Sequence, residues 1–370
     1  MGDTVYSTTK ALYHPDRLAG FIAGVPVPPV HVQLILSDAC THSCRFCAYR
    51  LPGYTSNALF QEVPGTDRKA RNPQRMIETE KALEIVNDCC AMGVKAIQFT
   101  GGGEPTLHPA FVRIARQAQG LGPETALVTN GSMLLHEPLR QVVRGMTWVR
   151  VSVDAATPET YCTTREVGRG MWDRMVEGLQ ALCLEKEQRN SPVTIGAGFV
   201  ATPDNWRDIH DAVRLYREWG VDNVRLGLMF NPEGSKPYKD IRYDLAYLAL
   251  KAVEDYDEGE GGFRVINRVS EKMDELDQGN PKFNLCTYQH FTTYIGGDLN
   301  LYRCCVYAYH PRGIIGSLKE RRFSQVWLDK QTQQALRTLD ARECERCQFT
   351  QIIESINGYL QKPPEHANFV

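Results

Sequence analysis

The chain has 370 residues, enough to bury one large core and a smaller appendage. Its formal net charge of -2 at pH 7, with a pI near 6.5, lacks the basic surplus that neutralising nucleic-acid phosphates demands, so no nucleic-acid partner is expected. The opening MGDTVYSTTKALYHPDRL has no apolar core of signal-peptide type and no stretch approaches the roughly 20 apolar residues of a membrane span, so the expectation is a cytoplasmic protein with no membrane partner.

In chain order, residues 1–30 read as an N-terminal extension. Short β-rich apolar runs follow at 31–36, 95–99, 126–129, 148–153, 193–200 and 223–230. The stretches between them, such as 78–92, 172–185 and 206–219, carry apolar residues at helical spacing and fit crossovers joining parallel strands. This alternation predicts an α/β domain over 31–235 with a parallel sheet, open or closed into a barrel. After Asn231 the pattern changes: PEGSKPYKD is turn-like, 243–256 is helical and EGEGG is a loop before another short element. The domain boundary falls near residue 236, and 236–285 read as linking helices.

The 12 cysteines are too sparse for a disulfide scaffold and cluster near residue 40 and beyond 286, which favours metal. Directly after the first strand, Cys40-Thr41-His42-Ser43-Cys44-Arg45-Phe46-Cys47 places three thiolates in one loop. A four-iron cluster normally takes four cysteines, so three leave one iron open to an exogenous ligand. Zinc is the alternative, although zinc ribbons usually pair two CxxC units on hairpins, whereas a loop at a strand's C-terminal end is where β/α barrels put their active sites. His42 reads as a solvated loop residue, with metal ligation the other option.

The second strand ends in Gly101-Gly102-Gly103-Glu104-Pro105, where glycines let backbone approach a ligand that any Cβ would strike. It matches neither a GxGxxG loop nor a P-loop, so phosphate cradling is not expected there. Thr129-Asn130-Gly131 and Ser152-Val153-Asp154 close the third and fourth strands with polar groups at the predicted mouth. A helix start follows at Thr157-Pro158-Glu159-Thr160-Tyr161, with Arg165 beyond it as a surface arginine paired with Glu159 or Glu166, or as a partner for a carboxylate.

CxxxCxxC with Phe46 before the last cysteine resembles the signature of radical S-adenosylmethionine (SAM) enzymes. The resemblance implies a partial (β/α)6 TIM-like barrel and a 4Fe-4S cluster on Cys40, Cys44 and Cys47 whose open iron chelates SAM. Reductive cleavage there gives methionine and a 5′-deoxyadenosyl radical. It further implies Phe46 against the adenine, Gly102, Gly103, Glu104 and Pro105 at the amino group, and Thr129, Asn130, Ser152 and Asp154 at the ribose and carboxylate. Arg165 becomes a cofactor-carboxylate contact, and a flavodoxin or ferredoxin-type protein the reductant.

The C-terminal cysteines Cys286, Cys304, Cys305, Cys344 and Cys347 supply four ligands with one to spare. A CxxC pair alone fits zinc, but the arrangement resembles the shortened SPASM-type module called a twitch domain. That likeness implies one fully ligated auxiliary 4Fe-4S cluster within 286–350, held by Cys286, one of Cys304 and Cys305, Cys344 and Cys347, before a tail at 351–370. Gly297-Asp298-Leu299 resembles its hairpin turn, and 316–318 with 323–327 its link to the final CxxC. Twitch-containing relatives are dehydrogenases and epimerases, which implies hydrogen abstraction from a small polar substrate such as a sugar, aminocyclitol or nucleoside. The spare cysteine of the 304/305 pair either returns a hydrogen atom to the substrate or packs inside as a small apolar side chain.

About 30 residues precede the first strand, fewer than a peptide-recognition domain needs, which favours a small molecule and leaves a peptide-modifying maturase as the second reading. An iron–sulfur electron carrier and a zinc-stabilised binding module are the alternatives of another class. Tyr54, Phe60, Arg68, Lys69, Arg71 and Arg75 form a basic, aromatic segment that either overhangs the mouth or is a solvated loop. Cys89, Cys90, Cys162 and Cys183 lie in predicted helices and read as small buried side chains, except that Cys162, following the fourth strand, has facing the barrel mouth as its alternative.

Overall fold

The computed structural model describes residues 7–49, 74–231 and 233–360. The six expected strands form as β1 (His31–Ile35), β2 (Ala96–Thr100), β3 (Glu124–Thr129), β4 (Trp148–Ser152), β5 (Thr194–Ala201) and β6 (Asn223–Leu228). Helix α1 (Pro15–Ile22) precedes them. The crossovers are α2 (Thr79–Ala91), α3 (Phe111–Gly120), α4 (Glu137–Arg144), the pair α5 (Pro158–Arg165) and α6 (Arg169–Gln188), and α7 (Ile209–Glu218). Alternate strand residues such as Leu34, Phe99, Val151, Phe199 and Leu226 bury against helix residues such as Val86, Ile114, Val143, Leu179 and Val213 in one core. That two-residue strand period facing a helical stripe is what fixes the layers.

Two additions enlarge the expected six-stranded unit. The segment 236–285 holds α8 (Arg242–Tyr256) and α9 (Val269–Gln278), and between them β7 (Arg264–Asn267), which pairs parallel to β6. Beyond α10 (Tyr288–Phe291), β8 (Thr292–Ile295) pairs parallel to β1 on its other side. Both strands are four residues long, too short to declare a period, and β8 depends on a partner far away in sequence.

β9 (Asn300–Tyr302) and β10 (Ile314–Ser317) then add antiparallel, giving one open ten-stranded sheet in the order β10-β9-β8-β1-β2-β3-β4-β5-β6-β7. The expected turn at 297–299 joins β8 to β9, with Leu299 left-handed at φ 64° and the Asp298 carboxylate accepting from Tyr302 Oη at 2.6 Å. Helices α11 (Phe323–Trp327), α12 (Lys330–Arg337) and α13 (Thr350–Leu360) complete the chain. The N-terminal extension and C-terminal tail are not bare: Leu18 of α1, Phe291 and Ile356 of α13 share a small core. Among the described residues no helix is long and apolar enough to cross a membrane.

Candidate active site

The four strand ends of β1 to β4 meet in one buried polar network. After β1 the chain runs Ser37-Asp38-Ala39 into Cys40, and the glycine turn after β2 is bonded to it: Gly103 N donates to Ser37 O at 2.9 Å and Glu104 N to Ala39 O at 2.7 Å. A Cβ on Gly103 would stand 2.0 Å from Ala39 O, and one on Gly102 would stand 2.3 Å from Asp38 Oδ1. The close approach expected of these glycines is therefore made to the chain's own cysteine loop.

Glu104, expected at the cofactor amino group, is buried and accepts from Thr106 N and Oγ1, from Thr129 Oγ1 at 2.7 Å and from Asn130 N at 2.7 Å. Burial raises its pKa, against these hydrogen bonds. Glu104 and Thr129 thus tie β2 to β3. Asn130, expected at the ribose, donates its amide to His42 Nδ1 at 2.7 Å and to Thr41 Oγ1 at 3.1 Å, organising the cysteine loop. His42 is buried rather than solvated. With Nδ1 accepting, its Nε2 carries the proton toward Tyr161 Oη at 2.9 Å, and burial, then Arg165, lowers its pKa to about 3.

The loop's other side rests on the end of α5. Thr157 caps the helix start by accepting from Thr160 N, Pro158 follows it, and left-handed Glu166 ends the helix. The carbonyls of Thr164 and Arg165, which a helix end leaves without internal partners, accept from Arg45 N at 2.9 Å and Ser43 N at 3.1 Å. Arg165 itself is 2% exposed, which corrects its reading as a surface arginine. It pairs with Asp154 and donates to Ser152 O at 2.8 Å, while Glu159 pairs with Arg169 and Glu166 with Arg45. Although burial opposes its charge, Asp154, then Cys44, holds the guanidinium firmly protonated.

Thus Ser152 contributes its carbonyl and Asp154 its carboxylate to holding Arg165, beside which Phe46 lies at 5.8 Å. Cys40, Cys44 and Cys47 are each half-buried. Burial, then Glu104, pushes the Cys40 thiol up to about 12, so a thiolate there needs a cation such as iron beside it. Three thiols on one braced loop are the donor set that a cluster with one open iron takes. Sequence reasoning had no signal for Asp38, which is fully buried and pairs with Arg75 at 2.6 Å and with Tyr309 Oη. Arg75 is thereby committed to Asp38; Tyr54, Phe60, Arg68, Lys69 and Arg71 lie outside the described residues.

In the C-terminal segment, Cys286, Cys304, Cys344 and Cys347 line one cavity with Tyr288 and Tyr307. Ala341 N donates to Asn284 O at 2.8 Å, joining the segment before Cys286 to the one before Cys344, and Tyr288 stacks on Phe349 at 3.9 Å. Burial pushes the Cys286 thiol up to about 11. Cys305 is not among the lining residues. It packs instead on the cluster of Ile35, Tyr294, Tyr302, Ala308 and Tyr309, and its thiol shares a hydrogen bond with Tyr294. The backbone separates the neighbours: Cys304 is extended (φ -162°, ψ 170°), whereas Cys305 begins a helical turn over Cys305–Tyr307. Among the described residues no three His, Cys, Asp or Glu side chains converge on a position for a single metal ion. Cys89 and Cys183 are core residues.

This arrangement of parallel strands with a braced three-cysteine loop agrees with a family model: the radical SAM superfamily model matches residues 34–216, and the chain belongs to that superfamily, whose members bind SAM and a 4Fe-4S cluster. The S-adenosylmethionine-dependent nucleotide dehydratase of Flammeovirga pacifica is 33% identical over 138 residues, 37% of this chain and 42% of that protein. The GTP 3′,8-cyclase of Microcystis aeruginosa is 30% identical over 157 residues, 41% of this chain and 43% of that protein. The matches span less than half the length of these relatives. Among solved structures, Streptococcus suis SuiB bound to precursor peptide SuiA superposes with a TM-score of 0.60 at 14% identity, over 98% of this chain and 80% of that one. The anSMEcpe structure with bound AdoMet and Kp18Cys peptide gives 0.57 at 16%, over 88% of each chain. At such identities the likeness is one of fold.

Proposed function

We propose that the chain is a radical SAM epimerase of a small polar molecule, with residues 286–350 acting as an auxiliary-cluster module. The observation that carries this reading is the parting of the adjacent cysteines: Cys304 lines the four-cysteine cavity, while Cys305 packs on the separate cluster of Ile35, Tyr294, Tyr302, Ala308 and Tyr309. Four thiols around one cavity, bulkier than a single-ion site, suit a fully ligated 4Fe-4S cluster on Cys286, Cys304, Cys344 and Cys347. When bound, SAM on the first cluster supplies the species that removes a hydrogen atom from substrate carbon, and the auxiliary cluster supplies a one-electron carrier.

The chain's own part is to hold the cysteine loop rigid through Asn130, His42 and the end of α5, and to present the Cys305 thiol. Its S–H bond breaks as a C–H bond forms on the substrate radical from the opposite face, inverting that carbon. The resulting thiyl regains its hydrogen from one electron, delivered by a flavodoxin or ferredoxin-type reductant, and one proton from solvent. Tyr294, bonded to the thiol, orients it. The relatives named for nucleotides support a small polar substrate over a peptide, although their matches cover only part of each protein.

Anaerobic reconstitution, reduction and addition of SAM tests the class: 5′-deoxyadenosine should form and the chain should carry about eight irons, as two four-iron clusters require. Cys304→Ala should lose about half of that iron, whereas Cys305→Ala should keep it, still form 5′-deoxyadenosine and lose deuterium incorporation from D2O at the inverted carbon. Accumulation of a carbonyl product by the wild type would convert the reading to dehydrogenation.

A further inference from the structure

Along the parallel strands, the residues alternating with the core positions face the concave side of the sheet. The central positions there are Gln33 of β1, Gln98 of β2, Ala126 and Val128 of β3, Arg150 of β4, Gly196 and Gly198 of β5, and Arg225 and Gly227 of β6, their neighbours Leu34, Phe99, Leu127, Val149, Val151, Ala197 and Leu226 being in the core. A closed β/α barrel fills this space with branched apolar side chains. Here Asn223 Oδ1 stands over Gly196 and the Arg150 stem over Gly198, while the position over Gly227 is open, which makes the face between β4, β5 and β6 a polar hollow.

Arg150 is half-buried, with its guanidinium carbon 5.7 Å from the centre of the Trp148 ring. Its stem lies along β5, where a Cβ on Gly198 would be 3.5 Å from Arg150 Cδ. Among the described residues no carboxylate forms an ion pair with Arg150. Asp154, the acid whose titration its charge affects, is committed to Arg165 and to Val200 N at 2.7 Å. Arg225 stands opposite Gly198 in the register, and a Cβ on Gly227 would meet nothing within 4 Å. Across the hollow, Gln98 Nε2 donates to Gln33 Oε1 at 3.2 Å. On the inward positions of β1 to β6 the one acid is Glu124, exposed at the first residue of β3.

We infer that the hollow between β4, β5 and β6 binds an oxyanion of the substrate, phosphate or carboxylate, with Arg150 as its anchor. A half-buried cation lying on an aromatic face and a glycine floor, and lacking a carboxylate partner, gains most from an anionic ligand. The Gln33–Gln98 pair offers neutral hydrogen-bonding groups to the rest of a polar molecule. The inference deepens the radical-enzyme reading by naming the substrate's charge, but anion binding itself needs no turnover.

Isothermal titration of the full chain with inorganic pyrophosphate, citrate and uncharged glucose tests it. At least one anion should bind and glucose should not, and the preferred anion tells phosphate from carboxylate. Arg150→Gln should weaken that binding roughly tenfold or more, as loss of a charge-assisted contact predicts, and Arg150→Lys should weaken it less. Gly227→Val, whose side chain enters open space, should also weaken it and decides the matter if Arg150→Gln does not fold. Equal or absent binding of all three probes, or unchanged affinity in both variants, overturns the inference. Failure of the wild type to form 5′-deoxyadenosine would instead sink the radical reading and leave the binding result standing.

Discussion

Asp154 and Arg165 illustrate how a buried charge constrains this site. Each side chain is at most 3% exposed, so removing one partner leaves the other charge desolvated and uncompensated. Asp154→Asn should cost roughly 3–5 kcal/mol in urea unfolding, and Asp154→Leu with Arg165→Met should recover much of it. Histidines set the acid limit. Burial lowers His42 to about 3 and His290 to about 4 from 6.5, so between those values the unfolded chain binds more protons than the folded one. Their stabilising contribution is complete above pH 6.5 and falls as pH drops toward 4, by about 1.4 kcal/mol per pH unit for each histidine. Urea midpoints should decline between pH 7 and pH 5, and a wild-type and His42→Gln pair with identical slopes would contradict this. Neither effect could be read from sequence, because Arg165 and His42 gave no local sign of burial.

At the scale of elements, the cysteine loop is held between the glycine turn after β2 and the end of α5. Gly103→Ala would bring a Cβ to 2.0 Å from Ala39 O, forcing the loop to shift. We expect a loss of about 1–3 kcal/mol and reduced iron on the first loop, measured by thermal unfolding and metal analysis. Thr157→Ala is the contrasting case: it removes a cap at the far end of α5, should cost about 1 kcal/mol, and should leave iron content unchanged. The difference follows from position, since Thr157 bonds to Thr160 within the first turn of α5 whereas the carbonyls at its end hold the loop.

Across the whole molecule, the C-terminal segment is continuous with the barrel rather than appended to it. β8 extends the parallel sheet beside β1, and Tyr309 reaches Asp38 immediately before the cysteine loop. On the outside, Asp88 of α2 accepts from Arg322 Nε at 2.9 Å and from Ser324 N at 3.0 Å at the start of α11. Asp88→Ala should free this contact, costing about 1–3 kcal/mol and speeding tryptic cleavage at Lys319, Arg321 and Arg322 several-fold without loss of first-loop iron. Unchanged cleavage kinetics would show that β8 pairing alone anchors the segment.

The sequence by itself determined the local features: six strand periods, their helical crossovers, and a CxxxCxxC loop whose ligand spacing is written within eight consecutive residues. Such features depend on neighbours in the chain, so periodicity and spacing expose them. Only the tertiary structure decided what depends on distant partners: that β7 and β8 join the sheet, that Glu104 and Thr129 brace the site, that Arg165 is buried on Asp154, and that Cys304 and Cys305 point to different places. Adjacent cysteines are equivalent in sequence. The turn at Cys305–Tyr307 and the packing around Tyr294 distinguish them, because side-chain direction is set by backbone conformation and by surfaces that folding alone brings together.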